Sequence, residues 1–180
     1  MSRARISEDH PLRDFFQSLV HNSVHVKMGL RDSDVESYLC GLITEFMHTD
    51  ASALENNDKH VEDLVDMLVE GDVLLGAQSF DREREVHKHI GDYILFWGGV
   101  FPEHLDLLRK SGRPAGLIDH VSQGKTSYHL VSTFVHGDYA TEASLFRRLS
   151  DEFETYLFAL HLVREAWGGE DGQWSRGFSA

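Results

Sequence analysis

Apolar residues recur at three- and four-residue spacing through most of this chain, and no strand-length run of alternating β-branched residues interrupts them. That periodicity restricts the fold to amphipathic helices, which gain their stability by burying their stripes against one another. Proline is scarce, at 3 of 180 residues, and Pro11 and Pro102 stand where helices can start. No period of about 20 to 50 residues repeats, so a solenoid is not indicated. The expectation is an all-α, single-domain bundle of five or six helices over residues 1–180, with loose tails at 1–9 and 168–180.

The spacing sets the segments. Asp9 caps a first helix that runs to about Lys27, with Leu12, Phe15, Phe16, Leu19 and Val26 on its inward face. Ser33 caps a second, with Glu36 completing a capping box and Val35, Tyr38, Leu39, Leu42, Ile43 and Phe46 as its stripe. A third is expected around Lys59 to Glu70. The fourth runs from about Phe80 to Trp97 and is broken by Gly98-Gly99. A short helix starts at Pro102. Another spans about Ala115 to Ser132, and the last runs from about Tyr139 to Trp167 with Leu145, Leu149, Phe153, Tyr156, Leu160 and Val163 inward. Gly91 and Gly124 lie inside helical patterns, where each costs about 1 kcal/mol against alanine, so close helix approach is expected at both.

With 17 basic against 30 acidic residues, the formal charge is −13. A surface that negative repels phosphate backbones and anionic lipid, so neither nucleic acid nor a membrane is the expected partner. The longest apolar tract, Tyr93 to Trp97, is far short of the roughly 18 residues a membrane span needs. The single cysteine, Cys40, allows no intrachain disulfide and points to a reducing compartment; the cytoplasm is the expected location. Cys40 itself falls opposite the stripe of its helix.

The segments HIGDYILFWGGVFPE, QGKTSYHLVS and LFRRLSDEFETYLFALHLVRE together resemble a group of uncharacterised bacterial all-helical proteins over roughly the second half of the chain. The resemblance implies a helical fold and carries no activity or ligand with it.

Phosphate-binding loops, nucleophile elbows, HExxH and CxxC are all missing, which leaves carboxylates and imidazoles on helices as the groups able to do chemistry. A ferritin-like di-iron centre needs two ExxH pairs. Glu45 and His48 form one, but Val86 and Lys88 stand where Glu83 and Glu85 would need histidine. The densest gathering of such side chains is Glu83, Glu85, His87, His89 and Asp92. Glu83 lies near the apolar face of its helix with His87 one turn on, and Glu142 lies in phase with Leu145 and Leu149. A carboxylate buried there would require a cation, a histidine or a proton. Glu142 in a first helical turn can equally sit in solvent at the positive end of the helix dipole. Glu83, His87 and Glu142 are therefore the candidate metal ligands, with Glu45 and His48 as outlying ones. His21 and His25, one turn apart, fall opposite their helix's stripe and read as solvated. Arg82, Arg84, Arg147 and Arg148 read as surface ion-pair partners.

Three functions fit. The first is a helical module acting by protein–protein association, as a homo-oligomer or with a protein partner, suggested by 11 Phe and 3 Trp in a chain without a catalytic signature. The second is a bundle binding a transition metal or small ligand through Glu and His, with redox or hydrolytic chemistry open to it. The third is a pH-responsive regulator, since 12 histidines titrate near pH 6.

Overall fold

The computed structural model describes residues 11–49, 79–110 and 119–170. The helix expected at 59–70 and the tail at 1–9 lie outside them. The described residues contain seven α-helices and no strand. They are α1 (Pro11–His21), α2 (Ser33–Thr49), α3 (Phe80–Val100), α4 (Pro102–Lys110), α5 (His120–Ser132), α6 (Ala140–Asp151) and α7 (Phe153–Glu170). A π-helical segment, Asn22–Lys27, continues α1, and a single 3-10 turn, Gly137–Tyr139, leads into α6. None of these helices is long and apolar enough to cross a membrane.

α3 is the axis of the bundle. Ser79 caps it by accepting the Arg82 amide, and from Ile90 to Trp97 every residue is buried, because α5 and α7 lie along it. α1 and α2 form a hairpin in which α1 and the π segment rest on α7, while α2 reaches α3 and α6. The stripe of α2 faces inward as its spacing requires, with Val35, Leu39, Leu42, Ile43 and Phe46 buried.

Glycines set the closest approaches. A Cβ on Gly91 would stand 2.6 Å from the Tyr128 ring, and one on Gly124 only 2.3 Å from that of Phe153. Gly98 and Gly99 serve the same end. They do not break α3, which runs on to Val100; they let α7 come close, since a Cβ on Gly99 would stand 2.6 Å from Leu160 Cβ. The helix stops only at Phe101, which leaves the helical conformation just before Pro102, where a proline disfavours the α region for the residue ahead of it.

Other expectations change for local reasons. The helix count exceeds five or six because the chain turns for one residue, Glu152, and splits the expected last helix into α6 and α7. α7 then extends to Glu170, past the expected boundary at 167. The N-cap of α2 is Asp32 and not Ser33: Asp32 Oδ1 accepts the Val35 amide at 3.2 Å. Cys40 is buried, since α1 crosses the face of α2 opposite its stripe, and its thiol donates to the Arg13 carbonyl at 3.6 Å. Val26 points outward at 64% exposure. The π segment fits one more residue into its turn than an α-helix does, which rotates the downstream residues by about 100°. Ser23 and Val24, one turn on from Leu19 and Val20, are buried and end the inward face of this helix.

Candidate metal centre

The π segment is where histidines meet a carboxylate. His21, the last residue of α1, and His25, inside the segment, stack at 4.9 Å between ring centroids with 16° between planes. Glu36, on the first turn of α2, reaches across the hairpin so that its Oε1 lies 2.8 Å from His21 Nδ1. One ligand atom from each of the three residues lies within 4.8 Å of the others, and among the described residues this is the three-ligand grouping that forms. His21 is exposed, while His25 and Glu36 are half-buried, so one side of the group faces solvent.

The donor set suits a borderline divalent ion. Two imidazoles and one carboxylate form the protein side of open zinc sites and of non-haem iron sites. Bonds of about 2.0–2.1 Å place such donors roughly 3.3 Å apart, so these side chains need only small rotations to close on an ion. An ion held by these three side chains could complete its coordination with water, since His21 is exposed. A bound ion there could polarise a substrate oxygen or lower the pKa of a water molecule.

The residues singled out from sequence are placed elsewhere. Glu83 and His87 are half-buried on α3, and His87 Nδ1 is 3.2 Å from Ser127 Oγ on α5. Glu142 stands in the first turn of α6 with its side chain 52% exposed, and accepts a 2.6 Å hydrogen bond from Arg84 Nη2. Glu45 is half-buried and His48 exposed at the far end of α2. None of these five joins the three-ligand group. The sequence showed the His21/His25 pair but no third ligand, because Glu36 arrives from 15 residues away and only through the hairpin.

Arg84, a surface residue by its sequence, is buried. Its guanidinium lies 4.0 Å from the centroid of the Tyr139 ring and its Nη2 pairs with Glu142. Arg82–Glu85 and Arg147–Asp151 are surface pairs as expected, whereas Arg148 crosses to the cap of α2, its Nε 2.6 Å from Asp32 Oδ2.

A second polar assembly lies deeper. Asp92, buried on α3, accepts hydrogen bonds from Tyr38 of α2 at 2.5 Å and Tyr128 of α5 at 2.7 Å, both on Oδ1. Lys88, one turn back, donates to its Oδ2 at 2.7 Å. Burial pushes the Asp92 carboxyl up, but the charge of Lys88 and the three hydrogen bonds outweigh it and hold the group below its usual value. The same burial, with the carboxylate beside them, pushes both tyrosine hydroxyls well above theirs. This assembly joins three helices with every Asp92 bond internal, so it is a structural node.

No family model, curated protein or solved structure matches this chain.

Proposed function

We propose that this protein binds a divalent transition-metal ion through His21, His25 and Glu36, in a site open to water on one side. The observation that supports the reading is the convergence of three donor side chains, from two elements of the hairpin, within 4.8 Å of one another. The chemistry such an ion supplies is Lewis-acid activation of a bound oxygen, as in hydrolysis, or redox chemistry if the ion is iron. The test is zinc titration by calorimetry on protein carrying no His-tag. One ion per chain is expected, with the affinity of His25→Ala reduced by about 100-fold or more. Glu83→Gln and Glu142→Gln should bind as the parent does. Equal affinities for His25→Ala and the parent would remove this reading.

A second reading, association of the chain with a second copy, is favoured by large apolar side chains left in solvent. Phe80, Leu107, Val135 and Phe158 are each more than half exposed. Light scattering on the eluting protein should give about twice the chain mass of 20.5 kDa. A monomer mass at all concentrations would contradict it.

A further inference from the structure

His21 and His25 stand before the turn of the hairpin and Glu36 stands after it, so the turn decides whether the three can meet. Only residues 28–32 separate the π segment from α2. Within them Gly29 sits at φ 70°, in the left-handed region. Its amide donates to the His25 carbonyl at 3.1 Å, and the Leu30 amide donates to the Val24 carbonyl, also at 3.1 Å. A left-handed residue whose amide returns to the carbonyl four places earlier is a common helix ending, and it satisfies acceptors that the last turn leaves over. Here one of those acceptors is the backbone of a proposed ligand.

Beyond Gly29 the chain is committed within three residues. Leu30 packs against the core, and Asp32 is fixed by its bond to the Val35 amide and by the Arg148 guanidinium. The first turn of α2 then carries Glu36 back until its Oε1 lies 2.8 Å from His21 Nδ1. A negative φ at residue 29 would send the chain off in another direction. Either the two amide bonds to Val24 and His25 or the approach of Glu36 to His21 would then be lost. Space is not the constraint at this position, because a Cβ on Gly29 meets nothing within 4 Å. The requirement is for the dihedral alone, which glycine meets without strain, asparagine tolerates, and a β-branched residue resists.

We infer that Gly29 is a positioning residue of the metal centre: its left-handed conformation holds the His25 backbone through its amide and returns the chain so that Glu36 meets His21. The inference rests on the metal-binding reading above.

Zinc calorimetry tests it on variants first shown by far-ultraviolet circular dichroism to keep their helices. Gly29→Val and Gly29→Asn both put a side chain into open space and differ in their tolerance of a positive φ. Gly29→Val should weaken zinc binding about fivefold or more, while Gly29→Asn stays within about twofold of the parent. Should Gly29→Val fail to fold, Gly29→Ala takes its place, with the same order of affinities expected. Gly124→Ala, whose clash lies with Phe153 and away from the hairpin, should lower the Tm and leave zinc affinity unaltered, which separates positioning from a general loss of stability. Zinc affinities that are equal for the parent and the strained Gly29 variant, or equally weakened in Gly29→Asn, would overturn the role of Gly29 and leave the metal site standing. Absence of zinc binding by the parent would overturn the metal reading on which it is built.

Discussion

Replacing Asp92 with alanine is expected to lower the unfolding free energy by roughly 2–5 kcal/mol, the combined effect of leaving two buried hydroxyls without an acceptor. The hydroxyls are those of Tyr38 and Tyr128, which come from α2 and α5 and both donate to this carboxylate on α3, with their rings edge to face at 6.4 Å. Lys88 contributes less, because about a third of its side chain is already in solvent and can turn outward. The pH dependence has a definite sign. The folded-state pKa of Asp92 is lowered, so its stabilisation is complete above the ordinary value of 3.8 and fades as pH falls through the lower folded one. The stability gap between the parent and Asp92→Asn should therefore narrow in acid below about pH 4. The tyrosines act at the other end. Their raised folded values mean stability that is complete below about pH 10 and lost as pH rises further. Urea unfolding at a series of pH values reads all three effects; a change below about 0.5 kcal/mol for Asp92→Ala would show that the node holds nothing together.

The second large effect is at Gly124, where the added methyl group of alanine would stand 2.3 Å from the Phe153 ring. Both residues are buried, and Phe153 is held against Tyr128, so neither can step aside without moving α5 from α7. Overpacking of this depth costs about 3 kcal/mol, against a helix-propensity gain near 1. A net loss of about 2 kcal/mol, or a Tm lower by roughly 4–8 °C, is expected for Gly124→Ala. Gly41 provides the contrast. It too lies inside a helix, but a Cβ there meets nothing within 4 Å. Gly41→Ala should raise stability by about 0.5–1 kcal/mol. Thermal melts of the two variants should move in opposite directions, and a shared direction would contradict the packing described for α3, α5 and α7.

Sequence carries the part of this fold that short-range period governs. The stripe of α2 and the run from Leu149 to Val163 are buried as their spacing requires, and Gly91 and Gly124 mark close helix approaches. The failures share a cause, which is that local pattern carries no information about what lies opposite. Gly98-Gly99 looks like a terminator in sequence and is a groove for Leu157 and Leu160 in space. The turn at Glu152 leaves the apolar phase almost undisturbed, so the spacing runs through it unbroken. Val26 fits an α-helical ridge and loses its place to a π turn. Glu142 shares a phase with Leu145 and Leu149, and of its two expected places it takes the solvated one in the first turn of α6; what the sequence does not show is Arg84 meeting it from α3. For the metal centre, the sequence offers two histidines one turn apart and assigns Glu36 to a capping box. Only the fold of the α1–α2 hairpin turns that glutamate toward His21.

The metal content of the chain tests the central claim most directly. Protein produced without a His-tag, dialysed against zinc, manganese or iron and then freed of excess ion, should retain close to one equivalent of at least one of them by elemental analysis. Glu36→Ala, prepared alongside, should retain much less. Retention below about a tenth of an equivalent for every ion, or equal retention by the parent and Glu36→Ala, would contradict a metal site at His21, His25 and Glu36.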